Sequence, residues 1–175
     1  MTTNDIKVIA MPGGTREFKV DDRNTGSVAR TIKAGEPANE CTNYVTRVAD
    51  DDPNIDTAGA TLVGIAASES TETATANGVV NVTMLIPCVT VLRGAASTVA
   101  NVDSESELLA YLHDDVMFGA SATIYNTTTN GIITIDEDDD DVTNHGLKII
   151  GGSADADGEL DVIVKARWMM GGSVA

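Results

Sequence analysis

Aromatic residues are scarce in this chain: Trp168, three tyrosines and two phenylalanines are all it has. A core must therefore be assembled from Val, Ile, Leu, Ala and Met, and a sugar-stacking surface of exposed rings is hard to build. Histidine is as rare, with His113 and His145 the only two. Neither lies in a nucleophile–base pattern, and no GxSxG, HExxH, phosphate-binding glycine loop or dinucleotide fingerprint occurs, so the reading is of a protein that is not an enzyme. The two cysteines, Cys41 and Cys88, have no CxxC spacing and no histidine cluster nearby. They read as small buried thiols rather than as a disulfide or a metal site. No apolar run reaches the ~20 residues of a membrane span, and no signal-peptide pattern opens the chain. The expectation is a soluble chain made in a cytoplasm, with no membrane partner and no cofactor.

What is present points to strands. Hydrophobic residues make up 42% and charged residues 22% of 175 positions, a balance on the folded side of the disorder boundary. Thr and Val are frequent and Pro is rare, which favours a mainly β fold. Stretches near 17–20, 27–32, 60–66, 121–126, 131–135, 146–151 and 159–168 read as strands, and 78–92 as a long one interrupted at Pro87. The period changes once. Ser104 and Glu107 fit a capping box, and Leu108, Leu109, Leu112 and Val116 form an apolar stripe, so one helix is expected over 104–116 with His113 on its solvent face.

The order of features recurs. Gly35, Tyr44-Val45, the acidic turn Asp50-Asp51-Asp52, Leu62-Val63-Gly64-Ile65 and Gly78-Val79-Val80-Asn81-Val82 make a first pass. Gly119, Ile124-Tyr125, Asp138 to Asp141, Lys148-Ile149-Ile150-Gly151 and Gly158 to Val164 make a second, with Gly64 and Gly151 87 positions apart and Gly78 and Gly158 80 apart. Two related β units, 35–84 and 119–165, are thus expected within a β-rich body, joined by the helical segment.

Charge divides the chain differently. The net charge is -16, yet Lys7, Arg16, Lys19, Arg23, Arg30 and Lys33 place six of the eleven basic residues in the first 33 positions. Against Asp5, Glu17, Asp21 and Asp22 that segment carries +2, and residues 34–175 carry -18. The pattern reads as a basic N-terminal arm, 1–33, on an acidic body, 34–175, and it disfavours nucleic acid as a ligand of the body. The alternative is a first strand pairing with its own acidic domain. The acidic runs 136–141 and 155–161 have the carboxylate density of a calcium site. Both lack the ligand spacing and closing glutamate of an EF-hand, and both read as solvated turns, so no metal site is assigned.

The arrangement resembles the capsid decoration, or cement, proteins of tailed bacteriophages. The residues that carry the resemblance are Pro12-Gly13-Gly14 in a polar N-terminal stretch, Ala34-Gly35-Glu36-Pro37 opening a strand, and Leu62 to Ala67 before a hairpin into Gly78-Val79-Val80-Asn81-Val82. Phe118 to Tyr125 and Asp157 to Val164 continue it. The resemblance implies a small β-barrel or β-tulip body with an extended N-terminal arm, a homotrimer on the outer face of a phage head, and a bridge between major capsid protein subunits. Lys7, Arg16, Lys19, Arg23, Arg30 and Lys33 are then the residues expected to meet the capsid. The second reading is a glycan-binding or head-fibre base module of a virion.

Overall fold

The computed structural model describes residues 6–10, 12–20, 31–41, 44–47, 62–71, 78–120, 133–138, 146–155 and 157–165. Its architecture is mainly β with one short helix. The strands are β1 (Lys7–Ala10), β2 (Thr15–Val20), β3 (Thr31–Ile32), β4 (Pro37–Cys41), β5 (Tyr44–Arg47), β6 (Leu62–Ala66), β7 (Ser70–Thr71), β8 (Gly78–Met84) and β9 (Val91–Ala95). The helix α1 (Glu105–Tyr111) follows, then β10 (Asp115–Ala120), β11 (Ile133–Asp136), β12 (Leu147–Ser153) and β13 (Glu159–Val164).

Five strands form a ring in the order β2-β5-β4-β6-β8, closed by the single parallel pair Val20↔Val45. A second group runs β9-β13-β12-β10-β11, with β1 added outside β9. The isolated parallel bridge Ala96↔Ile135 brings β11 back beside the end of β9, as Val45 comes back to Val20. The likeness extends to register. Shifting β2 by 76 and β8 by 80 turns the pairs Thr15↔Thr83 through Lys19↔Val79 into Val91↔Ile163 through Ala95↔Glu159. Shifting β6 by 83 turns Gly64↔Met84, Ile65↔Thr83 and Ala66↔Val82 into Leu147↔Val164, Lys148↔Ile163 and Ile149↔Val162. With β4 shifted by 78, Pro37↔Ile65 and Ala38↔Gly64 become Asp115↔Lys148 and Val116↔Leu147. With β5 shifted by 90, Asn39↔Thr46 and Glu40↔Val45 become Met117↔Asp136 and Phe118↔Ile135.

This register moves the expected unit boundaries. The first ring starts at β2 and the matching group at β9, ahead of 35 and of 119. Gly78 and Gly158 do correspond, since Ala96 N donates to the Gly158 carbonyl where Val20 pairs with Gly78. Gly64 instead matches Leu147, four positions before Gly151, which lies beyond the segment of β12 that corresponds to β6. Gly35 precedes β4 in a turn with φ 89°, whereas Gly119 lies within β10.

The expected arm at 1–33 is likewise corrected in its described residues. β2 makes six pairs with β8 as a wall of the first ring, and β1 pairs with β9, because both strands bring apolar residues to bury. Ile6 and Val20 are 2% and 3% exposed. The larger core gathers Ile6, Leu92, Val116, Phe118, Ile135, Leu147, Leu160 and Val162, and a smaller one Val20, Ile32, Ala38, Val80 and Val82. β6 is buried throughout and joins the two, giving Leu62 and Ile65 to the first and Val63 and Ala66 to the second.

A β-carbon at Gly64 would lie 2.2 Å from the Thr83 carbonyl oxygen, a backbone atom of the strand paired with it. Gly64→Ala is therefore expected to cost about 1–3 kcal/mol, read from the urea midpoint at constant slope.

The helix is shorter than 104–116. Ser104 caps it, its hydroxyl accepting from Glu107 N and donating to the Glu107 carboxylate at 2.6 Å, but α1 stops at Tyr111. His113 takes φ 77° and donates its N–H to Ile149 O, committing the chain to β10 beside β12. His113 is exposed, though beyond the helix, and Leu109 is left 59% exposed while Leu108 and Leu112 pack on the larger core. Cys88, expected to be buried, is exposed at φ 58° in the turn between β8 and β9. That turn closes on Thr90, whose hydroxyl accepts from Ile86 N at 2.7 Å and whose N–H donates to Ile86 O. Among the described residues no helix is long and apolar enough to cross a membrane.

Candidate docking surface

The six basic residues expected to meet a partner do not form one cluster. Lys7 is exposed on β1, and Arg16 and Lys19 are exposed on β2, in the other ring. The Arg16 guanidinium lies over the Phe18 ring, 5.3 Å from its centroid, a cation–π contact that holds the charge at the surface. Lys33 is half-buried in the turn before β4, where its N–H donates to the Glu36 carboxylate at 2.9 Å. Arg23 and Arg30 lie outside the described residues.

Three described cations later in the chain, Arg93, Lys148 and Lys165, are used internally. Arg93 on β9 makes a two-bond contact with Asp161 on β13, at 2.6 and 2.8 Å, and approaches Glu159 at 3.6 Å. The Asp161 bond, more than any other contact, raises the Arg93 pKa above its ordinary value. Lys165 and Lys148 both pair with Asp115, at 2.5 and 3.5 Å. Burial works to raise the Asp115 pKa, but the hydrogen bond and charge of Lys165, with Lys148 behind it, bring it below the ordinary value. By contrast, no described carboxylate pairs with Lys7, Arg16 or Lys19. Among the cations whose side chains are described, the positive charge without a carboxylate partner on a strand therefore sits on β1 and β2.

Both strands also present open main chain among the described residues. β1 ends the six-stranded order, and β2 meets β5 at Val20 alone, so from Thr15 to Lys19 its second edge has no partner strand among the described residues. Lysine and arginine on such edges guard against edge-to-edge aggregation, and the same charges can select an acidic partner.

No family model, curated protein or solved structure matches this chain. The docking surface rests on its own geometry.

The acidic runs behave differently from solvated turns in one respect. Glu137, at the head of the 136–141 run, is 4% exposed and accepts from Ser97 N at 2.9 Å, Thr98 N at 3.0 Å and Asn101 Nδ2 at 3.1 Å. Burial raises its pKa above the ordinary value, against the pull of those donors. Asp155 accepts from the Ser153 hydroxyl and from Asp157 N, forming a turn that closes on Gly158. Among the described residues no three acidic, histidine or cysteine side chains are placed to hold a metal ion. His145 lies outside the described residues, and no described group pairs a nucleophile with a base at His113.

The sequence marked the cations but not which of them are free. Only the ladder shows that Arg93 stands opposite Asp161, 68 residues away.

Proposed function

We propose that this protein decorates the outer face of a phage head, where it cements neighbouring major capsid protein subunits as a homotrimer. One observation carries the reading: in a chain of net charge -16, the described basic side chains without a carboxylate partner, Lys7, Arg16 and Lys19, stand on two strands whose edges are open among the described residues. A cement protein needs a gripping face distinct from the face it shows to solvent. Open main chain gives affinity on such a face, and unpaired positive charge gives orientation against an acidic shell. The acidic remainder keeps closely spaced copies apart. The same charge disfavours nucleic acid as a ligand of the acidic body.

A density gradient of phage heads tests it. The protein is expected to sediment with the shell in a fixed, near-stoichiometric ratio to the coat protein, and to be released as ionic strength rises. Recovery only from the soluble fraction would overturn the reading and favour a virion module acting elsewhere.

A further inference from the structure

We infer that the β2 edge from Thr15 to Lys19 is a strand-acceptor site, which takes an extended, carboxylate-bearing segment of a coat subunit antiparallel to β2. The acceptor site stands on the internal comparison of the two rings; the coat subunit as donor rests on the decoration reading.

The second ring shows how such an edge is used. There β1 lies antiparallel on β9, with Lys7 opposite Arg93, Val8 opposite Leu92 and Ala10 opposite Val91. In the shared register those three positions of β9 are Glu17, Arg16 and Thr15 of β2. The equivalent slot on β2 has no strand in it among the described residues, and Thr15, Arg16, Glu17 and Lys19 are all exposed.

The two slots differ in what an occupant must bring. On β9 the inward positions are Leu92, fully buried, and Gly94, over which Ile6 packs so closely that a β-carbon there would meet its Cδ1 at 2.5 Å. That slot is held by apolar burial, even though it sets Lys7 opposite Arg93. On β2 the same positions are Arg16 and Phe18. Phe18 is half-buried and packs against the smaller core, filling for itself the space that Gly94 leaves to Ile6, and Arg16 caps it. The β2 slot thus offers no apolar socket. It offers main-chain groups between two unpaired cations, Arg16 and Lys19, with Glu17 the one acidic side chain among them. An occupant gains there by adding ladder hydrogen bonds and carboxylates. A second copy is the weaker candidate, because two chains of -16 repel.

Amide hydrogen exchange of the full chain, resolved to single residues, tests the site with three probes: an acidic strand-forming peptide, its lysine counterpart of the same pattern, and emptied phage heads. The acidic peptide and the heads are expected to slow exchange within 15–19 about tenfold at ten times the dissociation constant, with β9 unchanged, while the lysine peptide does nothing. The double variant Arg16→Glu with Lys19→Glu should melt with the parent and reverse the peptide preference. Heads bound without slowing at 15–19, or equal protection by both peptides, would overturn the site. Protection that grows with protein concentration alone would give the edge to a second copy and overturn the proposal. Protection by the acidic peptide in a chain that does not sediment with heads keeps the acceptor site and removes the coat subunit as its donor.

Discussion

A chain lacking residues 1–20 will fail to form its first ring. The deletion removes β2, whose six pairs with β8 and whose Val20↔Val45 contact close that ring, and it removes β1 from the edge of β9. Ile6 and Val20, both nearly inaccessible, would leave the two cores. Their burial alone is worth about 1.5–3 kcal/mol each, before the ladder hydrogen bonds are counted. A domain of this size has about 5–15 kcal/mol in all, so the loss takes most of it. Circular dichroism is expected to show a broad, early transition for the 21–175 fragment, and a smaller loss when only residues 1–10 are removed. A fragment that melts like the parent would return β1 and β2 to the status of a detachable arm. The consequence for function is practical: failure of such a fragment to bind a shell reports unfolding, and only surface substitutions on β2 report docking.

The same strands mark where sequence reading stops. Strand-like runs at 60–66, 146–151 and 159–168 fall on β6, β12 and β13, the last because its alternation is strong and β6 because it is a short, wholly buried apolar run. Gly78 and Gly158 could be matched because each stands where a strand flanked on both sides, β8 or β13, begins its ladder. β1 carries only Lys-Val-Ile-Ala, too short for a period to show, and its charge drew it into an arm. β10 was hidden for a different reason. Leu112 and Val116 satisfy a helical spacing, while Val116 and Phe118 satisfy a strand spacing equally well, and both of the latter are buried at 1%. What decides between them is the left-handed turn at His113 and its bond to Ile149, a contact 36 positions away that no local pattern contains. The candidate docking surface was half legible: composition located the basic segment, but whether each cation is free or paired depends on which strand lies beside it.

Charge and burial meet most sharply at Glu137, and its replacement by alanine is the largest single-residue effect expected. The carboxylate closes the 97–101 segment by accepting from Ser97 N on Oε2 and from Thr98 N and Asn101 Nδ2 on Oε1. Alanine leaves three donors facing a dry space, at a cost of about 3 kcal/mol. Glutamine keeps an oxygen for Thr98 and Asn101 and sets an amide donor against Ser97 N, so Glu137→Gln should cost about 1 kcal/mol. The pH dependence separates this carboxyl from Asp115. Burial raises the Glu137 pKa, so the folded chain holds that proton longer than the unfolded one. Its contribution to stability is therefore largest below the unfolded pKa and is lost as pH rises through the folded value. Asp115 is held below its ordinary pKa by Lys165 and Lys148, and its contribution runs the other way: present above the unfolded pKa, lost as pH falls through the folded one. Urea unfolding across the acid range should show Glu137→Gln removing the loss on the rising side while leaving the loss on the falling side intact. Equal slopes in parent and variant would mean that the buried carboxylate does not titrate with folding. The three hydrogen bonds would then be its whole contribution, and a residue in a run of acids would be acting as a neutral-pH clamp on the connection between β9 and α1.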